Sequence, residues 1–93
     1  MKDKKNILVT INLYGPLRRY STDNEIKIGL WCGASLMDVR SAVAAEIIKQ
    51  HGEFLEHELL AQSAFADDCT ILFNDYILQE DIVLSILPPV CGG

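Results

Sequence analysis

Three features of the sequence predict an α+β fold, with strands at both ends and one long helix between them. Apolar and polar residues alternate near the start, an apolar stripe at three-and-four spacing fills the middle, and a nearly unbroken apolar run precedes a closing proline pair. The first element is residues 7–14, Ile-Leu-Val-Thr-Ile-Asn-Leu-Tyr, where Ile7, Val9, Ile11 and Leu13 share one face and Thr10 and Asn12 the other. Period two with β-branched side chains gives a strand, and Gly15-Pro16 ends it. Ile26, Ile28 and Leu30 alternate with Glu25, Lys27 and Gly29 after the polar turn Ser21-Thr22-Asp23-Asn24. The spacing predicts a second strand, joined to the first as an antiparallel hairpin through a loose connection.

Ser35-Leu36-Met37-Asp38 resembles a capping box with Asp in place of Glu, so a helix starts there. Leu36, Val39, Val43 and Ile47, flanked by Met37, Ala44 and Ile48, form its core stripe, and it ends near Gly52. Arg40, Glu46, Lys49 and Gln50 are expected to face solvent. A short second helix is expected within 53–62. Ser63 to Ala66 reads as a short strand, turned by Asp67-Asp68, with Thr70 to Phe73 returning beside it. Residues 74–81 read as a polar loop around Tyr76 and Leu78. Ile82 to Leu87 is expected to be a central strand buried on both faces. Trp31 and Phe54 are expected in or beside the core. The order is ββαβββ in a mixed sheet, which fits a β-grasp domain, although periodicity alone leaves other α+β arrangements open.

With 93 residues the chain has room for one domain, read as 1–87, followed by a tail at 88–93. At 49% hydrophobic and 23% charged residues it is too apolar for a disordered segment. No apolar run approaches the roughly 20 residues of a membrane span, and no signal-type apolar stretch follows Met-Lys-Asp-Lys-Lys-Asn, so a cytoplasmic location and no membrane partner are expected. Eight basic against thirteen acidic residues, with no Lys/Arg cluster larger than a pair, argue against a nucleic-acid partner. Cys32, Cys69 and Cys91 are widely spaced and read as reduced thiols, and with His51 and His57 they make no zinc or iron–sulfur pattern, so no metal is expected.

The last six residues, Pro88-Pro89-Val90-Cys91-Gly92-Gly93, carry the chemistry. Proline donates no ladder hydrogen bond, so the pair ends the preceding strand and stiffens the exit. A terminal carboxylate, with a pKa of roughly 3.3–3.7, is ionised at neutral pH and resists nucleophiles until it is adenylated. Glycine places no side chain beside the reacting carbon and lets the chain thread a narrow channel. The sequence has no P-loop to perform that activation itself.

This tail closely resembles the Pro-Pro-Val-x-Gly-Gly ending of ubiquitin-like sulfur carriers (the MoaD/ThiS group), most of all the small subunit of molybdopterin synthase. Leu13-Tyr14-Gly15-Pro16-Leu17-Arg18-Arg19-Tyr20 is similar to the segment that ends the first strand of such proteins, and Leu78 with Glu80-Asp81 is similar to their approach to the last strand. Two positions depart from the family's pattern: Ala66-Asp67-Asp68 stands where Val-Asn-Gly is common, and Cys91 where Ser, Thr or Ala is usual.

The resemblance implies a β-grasp fold and a carrier without its own active site. An E1-like adenylating enzyme would use ATP and Mg²⁺ to activate Gly93, while the carrier binds no cofactor. A sulfurtransferase or persulfide donor would convert the terminus to a thiocarboxylate. An acceptor such as the molybdopterin synthase large subunit would then take the sulfur. Gly92, Cys91, Val90, Pro89 and Pro88 would serve tail access and the partner's channel, and Arg18 and Arg19 are candidates for partner docking. The alternatives are a modifier conjugated to lysines through Gly93, a carrier for thiamin or a specialised metabolite, and a non-covalent interaction module.

Overall fold

The computed structural model describes residues 6–89. Strands β1 (Asn6–Leu13) and β2 (Glu25–Trp31) form the expected antiparallel hairpin, with Ile7 opposite Leu30, Val9 opposite Ile28 and Ile11 opposite Ile26. All six of these side chains are buried, because period-two alternation turns them to the same side. The connection is more structured than a loose loop. Gly15 takes a left-handed φ of +63°, and a 3-10 helix, Gly15–Tyr20, then buries Leu17 and Tyr20. Pro16 is compatible with the first turn of such a helix, where its missing N–H costs nothing.

Helix α1 (Leu36–His51) begins as its capping box dictates. The Ser35 hydroxyl accepts from the Asp38 N–H, and the Asp38 carboxylate accepts from the Ser35 N–H at 2.9 Å. Gly52, at φ +88°, closes the other end in the left-handed conformation a side chain would resist. Leu36, Val39, Val43 and Ile47 face the sheet, whereas Met37 and Ile48 lie outside the stripe and are exposed. Helix α2 (His57–Gln62) and the short antiparallel pair β3 (Ala64–Ala66) and β4 (Ile71–Leu72) follow.

Strand β5 (Ile82–Leu87) lies in the middle of a five-stranded mixed sheet of order β2-β1-β5-β3-β4, parallel to β1 and antiparallel to β3. Its central position is as expected, but burial on both faces is not. Leu84 and Ile86 point into the core, while Val83 and Leu87 point away from it and are exposed. The helices cover only one side of the sheet, so an apolar run marks the strand's place in the order rather than a second covering layer. Trp31 departs from expectation for the same reason: it ends β2 on the uncovered side and is exposed, whereas Phe54 is buried.

Arg40 corrects the expectation that it faces solvent. It leaves α1 half-buried, and its Nη1 donates to the carbonyls of Leu60 and Ser63, both at 2.8 Å. Its Nη2 donates to Asn74 Oδ1 at 2.7 Å, and the guanidinium stacks 4.9 Å from the centre of the Phe65 ring. Burial lowers its pKa from the ordinary value, but a guanidinium stays charged throughout. The planar fork meets two carbonyls where α2 ends, that of Leu60, which also accepts from the Ser63 N–H, and that of the capping residue Ser63.

Candidate functional site

The candidate site is the root of the C-terminal segment. Strand β5 delivers Pro88, half-buried, and Pro89, exposed, at the same end of the sheet where β1 finishes. Leu13 is opposite Ile86, so the chain leaves β5 beside the turn that follows β1. There the two segments touch. A Cβ added to Gly15 would come within 3.2 Å of Pro88 Cγ, so the left-handed φ favours glycine and any side chain there would make the proline ring give by a few tenths of an ångström. Neither proline could continue the ladder, and the φ of both is fixed, so the direction of exit is set where β5 ends. Val90, Cys91, Gly92 and Gly93 lie outside the described residues.

The two arginines proposed for docking sit on the 3-10 helix next to this root. Arg18 Nε approaches Asn24 Oδ1 at 3.4 Å, and Arg19 pairs with Glu56 at 3.1 Å. Glu56 also accepts from the Tyr20 hydroxyl, which in turn accepts from the Leu55 N–H. The Tyr20 ring packs edge-on against Phe54 and His51. Arg19 and Tyr20 thereby tie the 3-10 helix to the 53–56 connection; the pairing was not legible because Arg19 and Glu56 are far apart in sequence. Arg18 and Arg19 are both exposed, so their charges remain accessible.

The other candidate residues are dispersed. Cys32 lies 3.5 Å from the Gln79 carbonyl, and Cys69 is exposed in the β3–β4 turn. His51 Nε2 donates to the Tyr20 carbonyl at 2.7 Å and His57 packs on Phe54, so they share no site. Among the described residues the group able to converge on a cation is Asp67, Asp68 and Cys69. Asp67 Oδ1 is already taken by the N–H groups of Cys69 and Thr70, each at 2.8 Å, which lowers its pKa. The adjacent Asp68 and Asp67 charges raise the Cys69 pKa and keep the thiol protonated. This is a turn organised by its own backbone.

The sheet order, the parallel β1–β5 pair and the helix across one face define a ubiquitin-like β-grasp fold. No family model matches the sequence, and no curated protein matches it. Two solved structures share the architecture over nearly the whole chain. SAMP1 from Haloferax volcanii superposes with a TM-score of 0.65 at 14% identity, covering 92% of this chain and 99% of its own. A protein described as molybdopterin converting factor, subunit 1, from Pyrococcus furiosus does so with a TM-score of 0.64 at 24% identity, covering 90% and 99%. At these identities the likeness establishes the fold.

Proposed function

We propose that this chain is a ubiquitin-like sulfur carrier, with Gly93 as its loaded residue and molybdopterin synthesis as the destination of the sulfur. The observation that supports it best is the delivery of Pro88-Pro89 by the central strand, with Pro88 seated on Gly15, four residues before a Gly-Gly terminus. The neighbour described as a molybdopterin converting factor subunit favours that destination, and by analogy a synthase large subunit is the acceptor.

In the proposed cycle a Gly93 carboxylate oxygen attacks the α-phosphorus of ATP in an E1-like partner, expelling pyrophosphate and leaving an acyl-adenylate. ATP and Mg²⁺ belong to that partner. A persulfide sulfur then attacks the acyl carbon and displaces AMP. A second thiol reduces the resulting acyl disulfide, releasing the thiocarboxylate and oxidising the donor to a disulfide. Gly92 and Val90 pass through the partner's channel, and Cys91 is a small residue there whose thiol is not needed for charging.

Intact-mass spectrometry after incubation with ATP, the adenylating enzyme of the source organism and a persulfide donor tests this reading. Exchange of one terminal oxygen for sulfur is the expected result. Branched Gly-Gly on partner lysines would make the chain a modifier instead. An unchanged mass, with an enzyme shown to be active on its own carrier, would contradict both.

A further inference from the structure

We infer that the groove between α1 and α2 binds a carboxylate carried on a short aliphatic body. The site does not depend on what Gly93 carries.

Helical spacing builds the groove. Met37, Ser41 and Ala44 fall on one face of α1, and Leu60 and Ala61 on the facing side of α2. With Asn74, from the segment after β4, they enclose about 400 Å³, a volume suited to a small ligand. Leu60 is buried and the two alanines are small, so the walls are apolar and leave room for carbon rather than for water alone.

Charge identifies the ligand. The titratable groups in this lining are Arg40 and His57, both basic, and no carboxylate joins them among the described residues. Cavities beside Tyr20, beside Leu78 and at the start of β5 each carry at least two carboxylates. In a chain of net charge −5 the α1–α2 groove is therefore set apart by its sign.

Arg40 supplies the reason an anion would enter. A guanidinium has five N–H donors, and here Nη1 gives two to the Leu60 and Ser63 carbonyls while Nη2 gives one to Asn74 Oδ1. All three acceptors are neutral. The ion pairs among the described residues are Arg19–Glu56 and Lys27–Glu25, so this half-buried cation has no counter-ion there. Nε also lacks a partner but is sealed from solvent, which leaves the second Nη2 hydrogen for a visitor. Since a guanidinium only donates, it holds the Asn74 oxygen towards itself and turns the amide NH2 away, as a second donor. A charge-assisted bond to a carboxylate would compensate a cation that neutral carbonyls compensate only in part. One permanent charge matches a singly charged carboxylate better than a phosphate dianion, and the apolar walls favour an acid with a carbon body.

The test titrates the ¹⁵N-labelled full chain with isocaproate, with its uncharged amide and with inorganic phosphate. Isocaproate should shift the Ser41, Ala44, Ala61 and Asn74 amides, bind about tenfold tighter than either control, and lose affinity as salt is added. Ser41→Glu places the chain's own carboxylate in the groove and should weaken isocaproate binding about tenfold without lowering the melting temperature. Ser41→Lys, of similar bulk and opposite sign, should tighten it. Acetyl-Glu-Leu amide separates the two sources of a carboxylate. Tighter binding than isocaproate assigns the site to an acidic side chain of a partner, and weaker binding assigns it to a free acid. Equal binding of isocaproate and its amide, tighter binding of phosphate, shifts confined to residues outside the groove, wild-type affinity in Ser41→Glu, or no binding would each overturn the inference. Deletion of residues 90–93 that tightened isocaproate binding about tenfold would give the groove to the chain's own terminus, and would overturn it as well.

Discussion

The two hairpins of this sheet are held by different means. In β1–β2 seven residue pairs face one another, and every inward position is a buried aliphatic side chain. In β3–β4 only two pairs form, and of their inward residues Phe65 is buried and Leu72 half-buried. The second hairpin depends instead on Arg40, which reaches from α1 to hold the end of α2, the face of Phe65 and Asn74 at once. Long alternation stabilises a strand pair through its own sequence, whereas a short pair borrows its stability from a side chain elsewhere. Strand β5 sits between the two, so the root of the C-terminal segment is tied to both halves.

The largest effect should come from a substitution that strikes both halves. Leu84→Ala removes a fully buried side chain from β5 opposite Ile11, and should cost about 2–5 kcal/mol of global stability by chemical denaturation. Arg40→Ala should cost less, about 1–3 kcal/mol, and should act unevenly. Hydrogen exchange should quicken first at β3, β4 and the end of α2, while β1–β2 amides keep their protection. Uniform loss of protection across both hairpins would show that they unfold as one unit and would erase the distinction drawn here.

The smallest effect concerns the turn that closes the weaker hairpin. Backbone N–H groups of Cys69 and Thr70 lower the Asp67 pKa, so its contribution is complete above the unfolded value of about 3.9. That contribution is lost as pH falls through the lower folded value. An NMR titration should show Asp67 protonating below the ordinary carboxylate range, with the Cys69 and Thr70 amides moving together at the same pH.

The sequence made the first hairpin, the capped helix and the position of β5 legible, since each is written in local periodicity or capping chemistry. Ser35, Asp38 and Gly52 fixed the helix ends to within a residue. Arg40 was misplaced because polar residues on an amphipathic helix ordinarily face water, and its partners lie 20 to 34 residues away. The 3-10 helix was missed because Gly15-Pro16 signals a break and gives no sign of what Leu17 and Tyr20 bury against. An apolar Val83 or Leu87 reads as core in a one-dimensional pattern, and only the sheet order reveals a face without a cover. At the candidate site, Pro88 and Pro89 were legible as the end of a strand. The seat that Gly15 makes for Pro88 was not, because 73 residues separate them.

The central claim is that the Gly93 carboxyl is the group other proteins load. Its most direct test compares the wild-type chain with one deleted for Gly93 and one extended by a single residue, each given ATP, the adenylating enzyme and a persulfide donor. The wild type should acquire a terminal thiocarboxylate, and both variants should remain unmodified while giving circular dichroism spectra and melting temperatures equal to wild type. Sulfur loading of either altered terminus at the wild-type rate would contradict the account.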